Sequence, residues 1–148
     1  MKLQKATRFG LYATLELAAN AGEQLSAGDI AEKYAVSINH LAKVLRTLGR
    51  ARVIESVRGA GGGYRFAGNA RRMTLLNIIE LFEDIGPPAP EIEDPGEETG
   101  VGRALQDVLV EIDEISRATL GSITIETFLN MARRLKRPGE AGGVRAAE

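Results

Sequence analysis

Residues 26 to 67 constrain this chain more than any other stretch, because two short helical patterns joined by a brief turn run directly into a hairpin with a glycine tip. Ser26-Ala27-Gly28-Asp29 has the reciprocal spacing of a capping box, with Asp in place of the usual Glu or Gln, and opens a helix bearing Ile30, Ala31 and Tyr34 on one face. A turn through Ala35 and Val36 leads to Ser37, which can cap a third helix. Its apolar stripe is Leu41, Val44, Leu45 and Leu48 at i, i+3, i+4 and i+7, and Gly49 stands near its end. Val53 to Arg58 then alternates as a strand, Gly59 to Gly63 form a flexible tip, and Tyr64 to Ala67 return as the second strand.

The flanking segments supply a core for this motif. The sequence predicts a first helix over 7–20, capped by Thr7 and largely buried through Phe9, Leu11, Tyr12, Leu15, Leu17 and Ala18. After the hairpin, Thr74 caps a fourth helix with Leu75, Ile78, Ile79 and Phe82. From Asp84 to Gly102 prolines and acids dominate, which reads as a linker. A long helix from about Arg103 to Leu120 follows. The helix is about 27 Å long at 1.5 Å per residue and carries one apolar seam of Leu105, Val108, Leu109, Ile112 and Ile115, and no other segment of the chain is long enough to cover it. Thr124 to Leu135 make a last helix with Ile125, Phe128, Leu129 and Ala132, and the tail beyond Lys136 is too small and polar to fold.

Charge is divided along the chain. Residues 1 to 80 carry 12 Lys/Arg against 6 Asp/Glu, whereas residues 81 to 148 carry 7 against 14, so a net charge of −1 conceals a basic front and an acidic back. A basic front half suits a polyanionic partner. There is no cysteine, hence no disulfide framework and no thiolate metal site. No apolar run approaches the roughly 18 residues of a membrane span, and the first residues lack the apolar run of a signal peptide, so a cytoplasmic protein is expected.

The third helix has the two faces that a helix reading a DNA major groove requires, one apolar for anchoring and one polar for the groove. Opposite its apolar stripe lie Asn39, Lys43, Arg46 and Arg50 at +4, +7 and +11, with His40 and Thr47 beside them. In the hairpin, Arg58 precedes a tip that includes Gly62 and is slim enough for a minor groove, and Arg65 follows on the return strand. Arginines are drawn to the concentrated negative potential there. Other readings of the same residues are a nucleotide-binding loop, which should run into a helix where here a strand follows, and a protein-interaction module that has lost DNA binding. The carboxylates Glu91, Glu93, Asp94, Glu97 and Glu98 lack the spacing of a calcium loop, a lone His40 cannot form a transition-metal site, and no nucleophile, base and orienter come together as in an enzyme.

The segment Val36-Ser-Ile-Asn-His-Leu-Ala-Lys-Val-Leu45, followed by Glu55-Ser-Val-Arg-Gly-Ala-Gly-Gly-Gly-Tyr64, resembles the family of winged helix-turn-helix regulators that contains IscR and NsrR. The resemblance covers most of residues 1 to 135. It implies a mainly α fold with a small β-hairpin wing: a DNA-binding domain over 1–84, an acidic proline-rich linker over 85–102, dimerisation helices over 103–135 and a disordered tail over 136–148. It also implies a homodimer, with the Leu105 to Ile115 seam as its contact, acting as a repressor on a partly palindromic operator in double-stranded DNA. By the same resemblance Ser37 and Asn39 match positions at the DNA end of the recognition helix, and Arg58 matches a wing arginine that contacts DNA. Where the IscR branch has an acidic base-reading residue this chain has Ala42, so that branch's operator preference does not transfer. Many members hold an iron-sulfur cluster on three cysteines, but the matching stretch, 84–103, contains none. No cofactor is expected, which leaves three routes of control: a small ligand in the dimer interface, a partner protein docking on the helices, or no signal beyond the level of the protein.

Overall fold

The computed structural model describes residues 1–59, 61–86 and 95–136. The prolines and acids from Pro87 to Asp94 and the tail from 137 onward, expected to be linker and disordered end, lie outside the described residues. Six helices and one hairpin follow in order: α1 (Lys5–Ala19), α2 (Ala27–Tyr34), α3 (Ile38–Arg50), β1 (Ile54–Val57), β2 (Gly63–Phe66), α4 (Leu75–Ile79), α5 (Gly100–Ser122) and α6 (Ile125–Leu135).

The first helix begins earlier than the sequence predicts. Gln4 is its N-cap, and the Gln4 backbone N–H donates to Glu83 Oε1 at 2.9 Å, so a carboxylate from beyond α4 satisfies the entrance to the helix. Thr7 therefore lies within α1. Its side chain is fully buried with no hydrogen-bond partner among the described residues, so it caps nothing. The capping box of α2 is present in both halves, Ser26 Oγ accepting from the Asp29 N–H and Asp29 Oδ2 accepting from the Ser26 N–H, each at 3.0 Å. Hydrogen bonds from the Ser26 side chain and from its backbone N–H hold the Asp29 carboxyl below its ordinary pKa. After Tyr34 the chain turns through Ala35 in the left-handed region, φ 52°, and Ser37 starts α3.

α3 lies against α1 and buries Leu41, Val44, Leu45 and Leu48, each 2% exposed or less, beside the fully buried Ala13 and Leu17. One turn earlier, at Gly10, α1 takes the ring of Phe82, which lies past the end of α4. A Cβ at Gly10 would stand 2.3 Å from that ring, so only glycine permits the approach. A polar layer joins α1 to α2: Glu16 accepts from Lys33 Nζ at 2.8 Å and from the Tyr34 hydroxyl at 2.7 Å, and the Tyr12 and Tyr34 rings stack with centroids 4.9 Å apart. Burial alone would raise the pKa of Glu16, but the bonds from Lys33 and Tyr34 outweigh it and the net shift is downward. Burial, then the bond to Glu16, drives the Tyr34 phenol upward.

β1 and β2 pair antiparallel with Glu55 opposite Arg65 and Ser56 opposite Tyr64. The strands are shorter than expected, although the Ala67 N–H still donates to the Val53 carbonyl at 2.9 Å. A third segment joins them. Leu25, just before α2, exchanges both backbone hydrogen bonds with Tyr64, at 2.9 and 2.8 Å, so the hairpin is stitched to the start of the helix-turn-helix.

Thr99 caps α5, accepting from the Gly102 N–H at 3.0 Å, so this helix starts ahead of the expected Arg103. The chain then returns to the first core. Leu75 N–H donates to the Ile123 carbonyl at 3.0 Å, Ile125 N–H to the Met73 carbonyl at 2.8 Å, and Ile125 is fully buried with Phe128 and Leu129 packed nearby. α6 thus shares the core of the residues that precede Asp84. Arg117 pairs with Glu80 at 2.6 Å and ties α5 to the end of α4.

Two substitutions probe these joints. Ala35→Gly relieves a left-handed residue, and after subtraction of the extra freedom glycine has when unfolded it is expected to stabilise the protein by about 0.5–1 kcal/mol in urea denaturation. Gly63→Ala would place a Cβ 2.4 Å from the Leu25 carbonyl oxygen. It is expected to cost about 1–3 kcal/mol and to speed amide exchange at Leu25 and Tyr64, whereas unchanged exchange would mean that the stitch does not hold the hairpin.

Candidate nucleic-acid interface

The orientation of α3 decides which of its residues are available. With Leu41, Val44, Leu45 and Leu48 buried, Asn39, Lys43, Arg46 and Arg50 come to the surface as one exposed stripe. No ion pair among the described residues engages Lys43, Arg46 or Arg50, so their charges are not consumed within the fold. Ser37 Oγ accepts from the His40 N–H at 3.2 Å; as the N-cap it fixes where the stripe begins and keeps its own hydroxyl proton to donate. Thr47 turns its hydroxyl back to the Lys43 carbonyl at 3.3 Å. His40 is placed differently from the rest of the predicted set. Its ring meets Phe9 of α1 edge to face, with centroids 5.2 Å apart and planes at 80°, and it is half-buried.

In the hairpin the two predicted arginines part company. Arg65 forms an ion pair with Glu55, its direct cross-strand partner, so its charge is locally balanced. Arg58, just past β1, is exposed and enters no ion pair among the described residues. The tip turns on an N–H of Gly62 donating to the Gly59 carbonyl at 2.9 Å, with Gly59 and Gly61 at φ 118° and 78°. A Cβ on Gly62 would stand 2.8 Å from the Val57 carbonyl oxygen, so the turn admits glycine there and little else.

Sequence reasoning missed what holds this tip. The Gln24 side-chain amide donates to the Gly61 carbonyl, and Gly63 is glycine because the Leu25 backbone crosses it. The one trace of this in the sequence is that the glycine run extends one residue into the return strand. The result is a slim projection fixed to the start of α2, with Arg58 free at its base. Its glycines run into β2, so the phosphate-cradling loop that precedes a helix is not formed.

The comparisons agree on what such an arrangement belongs to. Residues 3–131 match the family model described as Rrf2, iron-dependent transcriptional regulator. The chain is 58% identical over 142 residues to BadM of Rhodopseudomonas palustris, named as an HTH-type transcriptional regulator, covering 96% of this chain and 90% of that one. Among solved structures it is similar to CymR (YrzC), the global cysteine regulator of B. subtilis, with TM-score 0.75 and 26% identity over 88% of this chain and 98% of that one. It is also similar to IscR of T. potens, with TM-score 0.70 and 25% identity over 99% and 94%. These are regulators and not enzymes.

An iron-dependent family raises the question of ligands, and the described residues do not offer an iron site. The chain has no cysteine, its single histidine packs on Phe9, and among the described residues no three His, Cys, Asp or Glu side chains gather closely enough to hold a metal ion. The winged hairpin, the helix-turn-helix and the match over 3–131 together show that the chain belongs to the Rrf2 family of transcriptional regulators, as a member without cysteines.

Proposed function

We propose that this protein is a cytoplasmic repressor that binds a partly palindromic operator as a homodimer, with α3 in the major groove and the hairpin tip at the minor groove, and that it does so without an iron-sulfur cluster. The observation that carries the reading is the exposed stripe of Asn39, Lys43, Arg46 and Arg50 opposite a fully buried seam, with its three cations unpaired among the described residues. Asn and Arg present the paired donors and acceptors that discriminate adenine and guanine edges, while Lys43 suits phosphate or guanine. Arg58 is the wing cation available to DNA, and Arg65, paired with Glu55, supports the hairpin. No described helix is long and apolar enough to cross a membrane.

Dimerisation is supported by α5. None of its residues is buried, and Leu105, Val108, Leu109, Ile112 and Ile115 are 41 to 59% exposed along one face, in line with Val101. Apolar residues at 101, 105, 108, 112 and 115 alternate steps of four and three, the spacing of a helix seam that packs on another helix. A second copy offers the same face, and a two-fold dimer pairs two recognition helices with two half-sites. With no cluster to sense a signal, control rests on a small molecule or a protein partner that binds the DNA-competent and incompetent dimers with different affinities.

Two variants test the assignment. Arg58→Ala is expected to weaken operator binding by about 1–3 kcal/mol in fluorescence anisotropy, and unchanged affinity would remove the wing from the interface. Ile112→Glu is expected to turn the dimer into a monomer in sedimentation velocity and to weaken operator binding with it. A dimer that persists would place the contact elsewhere.

A further inference from the structure

The start of α1 carries a basic surface that the recognition helix and wing do not account for. Lys2, Lys5 and Arg8 are all exposed and enter no ion pair among the described residues. With Lys33 of α2 they line a shallow groove of about 760 Å³ that also takes in Phe9, Tyr12, Tyr34 and Ala35, and no carboxylate lines it. Two acids that touch neighbouring residues are engaged within the fold: Glu83 accepts the Gln4 backbone N–H, and Glu16 pairs with Lys33 at 2.8 Å.

Two of these cations, Lys5 and Arg8, are held in place. Lys5 lies over the Phe9 ring at 5.7 Å, and the Arg8 guanidinium lies 5.9 Å over Tyr12 while donating to its hydroxyl at 3.1 Å. Rings of this kind restrain long side chains without cancelling their charge, which lowers the cost of ordering them on a partner. Phe9 in turn contacts His40 in the first turn of α3, and Ala35 is the turn residue between α2 and α3, so the groove is continuous with the helix-turn-helix.

We propose that Lys2, Lys5 and Arg8 form a phosphate clamp on the DNA backbone beside the groove occupied by α3, supplying affinity without reading sequence. The assignment rests on the DNA-binding reading above. Charge complementarity selects the occupant, because a regular polyanion meets several fixed cations at once and no acid of the groove opposes it.

The test uses the full-length protein, a short duplex selected by it from a randomised pool, and a scrambled duplex, with anisotropy read at several salt concentrations. Replacing Lys2, Lys5 and Arg8 together by Gln should flatten the slope of log affinity against log salt by roughly one unit per cation. Affinity for both duplexes should fall by the same factor, leaving selectivity intact. The charge-preserving pair Lys5→Arg and Arg8→Lys should keep the wild-type slope, which separates charge from folding damage. An Arg46→Gln control should lose selectivity instead. An unchanged slope in the triple variant, or a loss of selectivity at constant slope, overturns the clamp while leaving the recognition helix in place. If the wild-type protein binds no duplex, the DNA-binding reading fails and the clamp fails with it.

Discussion

Burial of Leu41, Val44, Leu45 and Leu48 against α1 sets the rotation of α3, and the rest of the interface depends on that rotation. Each such side chain contributes about 1.5–3 kcal/mol when fully removed from water, so the four together rival the roughly 5–15 kcal/mol net stability of a whole domain. Turning the helix by one residue would expose that seam and press Lys43 or Arg46 toward the core. The polar stripe therefore has one place to go, and Asn39, Lys43, Arg46 and Arg50 are presented outward by the same energy that folds the domain.

The hairpin needs a different constraint, since two four-residue strands are too short to hold their own orientation. Backbone pairing of Leu25 with Tyr64 and the Gln24 bond to Gly61 give it one by fastening it to the segment that enters α2. The α2 capping box begins one residue after Leu25, so wing and helix-turn-helix share a joint. Tyr12, Glu16, Lys33 and Tyr34 make the corresponding joint between α1 and α2. Ile125 closes the arrangement from the C-terminal side, which places the base of the exposed α5 seam on the same core.

Local signals in the sequence carried much of this. The caps at Ser26, Ser37 and Thr74, the seam of α3 and the glycine tip are all short-range patterns, and each marks an element that the structure contains. What escaped depends on contacts between distant residues. Thr7 has the chemistry of a cap, but the true start of α1 is set by Glu83, 79 residues away from Gln4. The sequence grouped Arg58 with Arg65 because both are basic; only the strand register shows that Arg65 faces Glu55. Likewise His40 sits in the recognition helix by number, yet its ring is turned to Phe9. Lys2, Lys5 and Arg8 follow no local pattern in the sequence; the fold places them beside Ala35 and Phe9 in a groove lined by no carboxylate.

A chain with no cysteine that binds DNA as proposed does so through its own fold, with no thiolate-held metal centre to complete it. The direct measurement is anisotropy of the purified, chelator-treated protein with a duplex selected from a randomised pool and with a scrambled duplex, across a range of salt. Binding to the selected duplex should be tight, fall steeply with salt and far exceed binding to the scrambled one, with no gain on adding iron. Weak binding that does not distinguish the two duplexes, or selectivity that emerges only when iron is restored, would mean that the fold alone does not read DNA.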